Sequence, residues 1–234
     1  MKTTVIITVS ILAIILMACS NDKPKTTEVS VLIDVTEKTI DLPEAKQILN
    51  LYNFDANIEN GGIFNFSTIS NFSINKRVEF EIQPGSKALS NRYQRKKEVS
   101  RFQESVESVL SNNLRESQGQ GNSTVYKSIA SELNRLAESN ASRKIAVISS
   151  DLMENNGTVS FYSGIDFSKL ESKPDDVKNY FESIEPLNSL KGVQVLLIFQ
   201  PKDLKSDQRF SVLSNFYKKL LQEKGASVQI SSNI

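Results

Sequence analysis

The chain of 234 residues contains no histidine, no tryptophan and a single cysteine, Cys19. The absence of histidine excludes a Ser-His-Asp triad, a histidine general base and histidine ligands to a metal. A lone cysteine excludes a disulfide framework and a cysteine-based metal site. Any metal that this chain binds must therefore be held by oxygen atoms. The 28 basic and 27 acidic residues nearly cancel, so nothing in the charge balance indicates a nucleic-acid partner, and we expect none.

The N-terminal residues form a separate segment. Lys2 is followed by an almost entirely apolar run from Val5 to Ala18, which is the pattern of a secretory signal peptide. The run is shorter than the roughly 20 residues that a spanning helix needs. It ends in Leu16-Met17-Ala18-Cys19, which resembles the lipobox of bacterial lipoproteins. The resemblance implies cleavage before Cys19 and lipidation of its thiol; an ordinary signal peptide with an incidental cysteine is the alternative.

This interpretation divides the chain into three parts. Residues 1–18 are predicted to be the signal peptide, 19–27 a lipidated, flexible tether containing Pro24, and 28–234 one folded domain. Roughly 200 residues are enough for a single domain with a substantial core. Removal of the signal peptide takes away one basic residue, Lys2, and leaves 27 residues of each sign. A lipid on Cys19 would attach the protein to a membrane of the cell envelope, and Ser20 after it implies the outer membrane of a Gram-negative bacterium.

Strand-like and helix-like patterns alternate along the predicted domain. Asp41 is the predicted N-cap of the first helix, and residues 152–173 are predicted to form a long loop. Five basic residues open the longest helix, and we interpret them as a solvated face rather than a binding patch. They are Arg92, Arg95, Lys96, Lys97 and Arg101. The predicted order is strand 28–34, helix from 41, hairpin 62–71 and 76–83, helices 90–117 and from 123, strand 144–150, helix from 174, strand 193–199, helix 210–221 and strand 228–230. This order predicts an α/β fold with a doubly wound, mostly parallel sheet, one antiparallel edge hairpin strand and helices on both faces.

Oxygen-bearing side chains follow three separate points of the predicted sheet. The first strand ends in Asp34-Val35-Thr36, a later loop contains Ser123-Thr124, and another strand ends in Ser149-Ser150-Asp151. Ligands of such sheets bind at the carboxyl ends of the strands, so we expect these residues on one rim. Carboxylates and hydroxyls are the ligands that a hard cation such as Mg²⁺ prefers. Helix or turn capping is the alternative for each residue taken singly.

The arrangement resembles the von Willebrand factor A domain over nearly the whole of residues 28–234. In that family a D-x-S-x-S loop, a threonine from a later loop and an aspartate after the fourth strand form the metal-ion-dependent adhesion site. The matching residues are Asp34, Thr36, Thr124 and Asp151. The resemblance implies a site for Mg²⁺ or Mn²⁺ and recognition of a protein partner through this rim. If the rim binds a cation, loss of the Asp151 carboxylate is predicted to abolish binding, whereas loss of the nearby Glu154 carboxylate is not.

Lys38 departs from the motif, because it stands where the family has its second hydroxyl. An ammonium group has no lone pair and cannot ligate a cation. Lys38 either points to solvent and leaves a weakened metal site with water in the vacant position, or its ammonium replaces the metal and pairs with Asp34 or Asp151. Both alternatives remain open from the sequence.

Three functional hypotheses follow. The leading one is a membrane-anchored binding module, as an adhesin or as part of a secretion or conjugation apparatus. The second is a structural lipoprotein of an envelope assembly that binds no metal. A metal-dependent hydrolase or phosphotransferase is disfavoured, because Thr36 stands where haloacid-dehalogenase-type enzymes need a second acid and no glycine-rich phosphate loop follows the first strand. We therefore expect no catalytic residues.

Overall fold

The computed structural model describes residues 23–36, 43–70, 77–86, 91–112 and 123–232. Cys19, Lys38 and the predicted signal peptide lie outside these ranges, so the predictions about lipidation and about the position of the lysine remain predictions from the sequence.

The described part of the chain contains a single six-stranded mixed sheet. Its strands lie in the order β3-β2-β1-β4-β5-β6. Neighbouring strands pair in parallel except for β3, which pairs antiparallel to β2 at the edge of the sheet. The strands are β1 (Thr26–Asp34), β2 (Gly61–Ile69), β3 (Val78–Ile82), β4 (Arg143–Ser149), β5 (Val193–Ile198) and β6 (Ser227–Ser231). The predicted doubly wound α/β fold with an antiparallel edge strand is confirmed.

Helices cover both faces of this sheet. They are α1 (Ala45–Asn50), α2 (Arg92–Asn112), α3 (Val125–Glu138), α4 (Gly164–Ser172), α5 (Pro174–Ile184) and α6 (Leu204–Glu223). Buried residues of α1 and α2 share one hydrophobic cluster, and those of α3 to α6 share the other. Helix α4 was not predicted, because its residues were interpreted as part of a loop. Its apolar pattern is weak, since only Leu170 of its residues is buried.

The sheet forms a core layer between the two helical layers. In β1, Val29, Val31 and Ile33 belong to the cluster with α1 and α2, whereas Leu32 belongs to the cluster on the opposite face. Side chains of a strand alternate between faces, so β1 is buried on both sides and its apolar side chains lie in both clusters. Full burial of each such side chain stabilises the fold by about 1.5–3 kcal/mol.

Two element boundaries differ from the predictions. Strand β1 begins at Thr26, so the domain includes residues that were assigned to the tether, and Thr27 is only 2% exposed. Helix α1 begins at Ala45 with Glu44 as its N-cap, so the prediction that Asp41 caps it was wrong. The Glu44 N–H instead donates to Gln47 Oε1 over 3.1 Å.

Arg95 is buried, which contradicts its assignment to a solvated basic face. Its guanidinium donates to the carbonyl oxygens of Ile58, Gln83 and Asn60, the first two over 2.9 Å. These carbonyls come from the segment before β2 and from the end of β3, so Arg95 ties both to α2. The sequence shows that Arg95 is charged, but it does not show that three carbonyl groups surround the guanidinium in the folded protein.

None of the helices in the described ranges combines the length and apolarity needed to cross a bilayer.

Candidate functional site at the carboxyl ends of β1 and β4

The strand order reverses between β1 and β4. From β1 the chain proceeds to β2 on one side, whereas β4 leads to β5 on the other. The connecting helices therefore diverge at the carboxyl ends of these two strands, which is where doubly wound sheets bind ligands. Asp34 is the last residue of β1, and Ser150 directly follows β4. The parallel register pairs Ile33 with Ser149, which brings the two strand ends to the same level.

Asp34 is the centre of a hydrogen-bonded cluster and is 2% exposed. Its Oδ1 accepts from the backbone N–H of Thr36 over 3.0 Å and from Thr36 Oγ1 over 2.6 Å. Its Oδ2 accepts from Ser150 Oγ over 2.8 Å. A buried carboxylate must be compensated by hydrogen bonds or by opposite charge, and these three donors supply part of that compensation.

Ser150 was not among the predicted site residues. It is fully buried, and besides donating to Asp34 its hydroxyl oxygen accepts from the Leu152 N–H over 2.9 Å. The sequence placed Ser150 and Asp151 together at a strand end, but side chains alternate and only one of two neighbours can face Asp34. The sequence therefore indicated that a residue at the end of β4 lies near Asp34, and the pairing register of β1 with β4 determines that this residue is Ser150.

Thr124 lies on the same rim, but its hydrogen bond goes elsewhere. Its hydroxyl donates to the carbonyl oxygen of Ser70 over 3.0 Å, and Ser70 follows β2. Thr124 is the N-cap residue of α3, yet its side chain makes no capping hydrogen bond. The alternative that Thr124 serves as a side-chain cap is therefore wrong.

Asp151 also lies at this rim, directly after Ser150. Its Oδ1 accepts from the Met153 N–H over 2.9 Å, which fixes the turn after β4. The side chain is partly exposed, unlike that of Asp34. These hydrogen bonds thus gather Thr36 and Ser150 around Asp34, while they join Thr124 to the end of β2 and Asp151 to its own loop.

Glu154 belongs to the interior below the rim, and that its loss leaves cation binding intact remains a prediction. It is 1% exposed, and its carboxylate accepts from the Tyr126 N–H and from Asn156 Nδ2, both over 2.8 Å. Tyr126 is in the first turn of α3, so Glu154 caps that helix from a distant loop, and negative charge is favourable there. Burial raises the pKa of Glu154 to about 7, and the charge of Asp34 contributes to the increase.

Tyr217 of α6 adds a second buried polar group to this interior. Its hydroxyl has no hydrogen-bond partner among the described residues. Burial raises its pKa well above the ordinary value, and the charge of Glu154 is the next largest cause. The carboxylates of the rim and the Tyr217 hydroxyl therefore share one electrostatic environment.

The oxygen atoms around Asp34 are compatible with a hard cation. A hydroxyl group that donates its hydrogen to Asp34 keeps lone pairs that can face a metal, and Thr36 and Ser150 both do so. No group of three or more His, Cys, Asp or Glu side chains in the described ranges is placed to hold a metal ion. A cation held here would be bound largely through hydroxyl oxygens and water, with few carboxylates, and such a site would be weak.

Comparison with known proteins does not identify a family. No protein-family model matches the sequence, and no curated protein matches it. The fold is similar to that of a point mutant of the PilB minor pilin from Streptococcus sanguinis, with a TM-score of 0.47 and 11% sequence identity. The similarity covers 91% of this chain, which spans 58% of the pilin chain. This likeness is too distant to indicate a function.

Proposed function

We propose that this protein is an extracytoplasmic binding module, attached to a membrane through a lipid on Cys19, that recognises a protein partner through the rim at the carboxyl ends of β1 and β4. The observation that carries the proposal is the cluster in which Thr36 and Ser150 donate to the two carboxylate oxygens of Asp34. This cluster lies at the position where doubly wound sheets bind ligands. Its residue types support a von Willebrand factor A-like adhesion site that has degenerated at Lys38.

Asp34 would hold the Thr36 and Ser150 hydroxyls in place, with their lone pairs directed to Mg²⁺ or Mn²⁺. Thr124 and Asp151 are the further candidates for ligands, directly or through water. The cation would present a Lewis-acidic position to an oxygen of the partner. That the chain has no catalytic activity remains a prediction from the sequence.

Thermal unfolding of the purified full chain with Mg²⁺, with Mn²⁺ or with chelator tests the metal site. A cation that binds only the folded state raises the midpoint in a concentration-dependent manner. We expect this shift to disappear in Asp34→Ala. Asp55→Ala is the matched control, because Asp55 is exposed in the loop before β2, at the amino ends of the parallel strands and therefore at the end of the sheet opposite to the rim. The shift from chelator to metal is compared within each variant, since loss of the buried Asp34 also lowers the midpoint itself.

A metal-free rim is the second candidate, and one observation favours it. The two carboxylate oxygens of Asp34 already receive three hydrogen bonds from the chain itself. The protein would then be a structural lipoprotein of an envelope assembly. The absence of any shift at millimolar metal would favour this candidate, as would equal shifts in the Asp34→Ala and Asp55→Ala proteins.

Membrane fractionation of cells that express the full chain tests the anchor separately. Cys19→Ala is expected to move the protein from the membrane to the soluble fraction, because stable anchoring depends on the acyl chains. Ser20→Ala is the neighbouring control and should stay at a membrane. Retention of Cys19→Ala at the membrane would exclude lipid anchoring through this residue.

A further inference from the structure

A cleft of about 360 Å³ opens beside the rim, between the carboxyl ends of β4 and β5 and the first turns of α6. Phe199, which follows β5, and Phe210 of α6 line it, and their ring centroids are 5.0 Å apart. Tyr162, from the segment before α4, lines it as well. Asp151 belongs both to this cleft and to the rim, so the two surfaces are continuous.

Three cationic side chains surround the aromatic residues of this cleft. Lys202, Lys205 and Arg209 all line it, and none of them forms an ion pair with another residue in the described ranges. Arg209 instead lies over the Phe167 ring of α4, with its guanidinium carbon 5.6 Å from the centroid. The cleft therefore carries positive charge that no carboxylate of the described chain pairs directly.

The two carboxylates that line the cleft are engaged by backbone groups. Asp203 Oδ1 accepts from the Ser206 N–H over 2.7 Å as the N-cap of α6. Backbone hydrogen bonds from Ser206 are the largest cause that lowers the pKa of Asp203. Asp151 Oδ1 is held by the Met153 N–H. Both carboxylates keep their negative charge, and the charge of Lys205 also acts on Asp203, so the three cations exceed the two carboxylates of the cleft by one charge.

Exposed apolar side chains gather around the same region. Tyr162 is 44% exposed, Ile165 82% and Leu204 73%, and they are three of the four large hydrophobic side chains that the described ranges expose. Leu204 lies in the sequence between Asp203 and Lys205, which both line the cleft. Ile165 is in the first turn of α4, which the stacking of Arg209 on Phe167 joins to α6. Tyrosine and arginine beside apolar side chains are typical of the residues that dominate protein interfaces.

We infer that this cleft binds an acidic segment of a partner protein and takes one of its aromatic or aliphatic side chains against Tyr162 and the lining surfaces of Phe199 and Phe210. The inference rests on the proposed function as a protein-binding module and specifies the chemistry of its partner. The three cations are complementary to an acidic segment, and the aromatic walls are complementary to an apolar side chain. A peptide fits better than a lipid surface, because the aromatic and charged groups lie in a concavity whereas a bilayer needs a protruding apolar face.

Fluorescence anisotropy of the full chain with labelled peptides tests the inference. The probe is a peptide of aspartate and glutamate around a central phenylalanine, compared with a peptide in which lysine replaces every acid. We expect the acidic peptide alone to bind, with an affinity that falls as salt is raised. The measurement is made with chelator present, so that a missing metal site at Asp34 does not prevent binding to the cleft.

The double variant Lys202→Glu/Lys205→Glu should lower the affinity for the acidic peptide by about tenfold or more. Lys46→Glu/Lys219→Glu is the matched control, because it makes the same charge change at exposed positions of α1 and the distant half of α6. Tyr162→Ser should weaken binding without a change in net charge. Equal affinities of the two double variants would overturn the inference. It would also be overturned if the acidic peptide did not bind while vesicles of phosphatidylglycerol bound the wild type and not Lys202→Glu/Lys205→Glu.

Discussion

Ser150 donates its hydroxyl hydrogen to Asp34 Oδ2 over 2.8 Å, although 116 residues separate the two in the chain. This bond joins the ends of the two strands between which the strand order reverses. The same hydroxyl accepts from the Leu152 N–H, so one buried side chain fixes both the carboxylate of the rim and the turn after β4.

Ser150→Ala should destabilise the fold by about 1–3 kcal/mol, because it leaves a buried carboxylate oxygen of Asp34 and the Leu152 N–H without this partner. The measurement is the denaturant midpoint at unchanged m-value. Ser100→Ala is the matched control, since Ser100 is exposed on α2 and its hydroxyl donates to Glu104 in a solvent-exposed hydrogen bond. Equal midpoints of the two variants would show that the hydroxyl of Ser150 contributes nothing to stability.

Glu154 should make stability depend on pH in the direction opposite to that of an ion-paired acid. Its pKa is raised from 4.5 to about 7 in the folded state, so the folded protein holds the proton more tightly than the unfolded chain. Its contribution is fully present below about pH 4.5 and is lost as the pH rises through about 7, by roughly 3 kcal/mol in total.

Glu154→Gln isolates this effect, because an amide keeps an acceptor for the Tyr126 N–H and does not titrate. The free energy of unfolding of the wild type relative to Glu154→Gln should decrease between pH 4.5 and pH 8. A difference that stays constant over this range would mean that the buried carboxyl of Glu154 does not change its charge there.

Arg95→Ala should destabilise the protein by about 3 kcal/mol, because the carbonyl groups of Ile58, Gln83 and Asn60 lose a charged donor in a buried position. Arg92→Ala, an exposed change three residues earlier in α2, should alter stability by no more than about 0.5 kcal/mol. Urea unfolding of both proteins shows whether Arg95 holds the segments before β2 and after β3 to α2, or belongs to the solvated basic face that the sequence suggests.

A chain that starts at Glu28 should be less stable than one that starts at Lys23. The longer chain keeps Lys25 and the first residues of β1. The Lys25 carbonyl accepts from the Gly61 N–H over 3.0 Å, and the Thr26 carbonyl accepts from the Ser142 N–H over 2.9 Å. Loss of these bonds and of the buried Thr27 should cost about 2 kcal/mol. Equal thermal midpoints of the two chains would show that the folded domain begins at Glu28.

The sequence predicted most of the fold because its signals are local. Runs such as Ile145 to Ile148 are apolar on both sides, which is typical of a strand between two helical layers. The turn residues between Phe66 and Phe80 predicted the hairpin that places β3 antiparallel at the edge. Helix α4 was missed because its helical pattern presents only one buried residue, Leu170.

The sequence by itself determined that any metal must be held by oxygen, that the sheet is doubly wound and that Asp34 ends its first strand, since these follow from composition, periodicity and order along the chain. Only the tertiary structure decided that Ser150 bonds to Asp34 whereas Asp151 bonds to its own loop, that Glu154 caps α3 and that Arg95 is buried among carbonyl groups. These contacts join residues 12 to 116 positions apart, and most of their partners are backbone groups, which a pattern of side chains does not show. Strand register and helix packing set them, and both are fixed only when the whole chain folds.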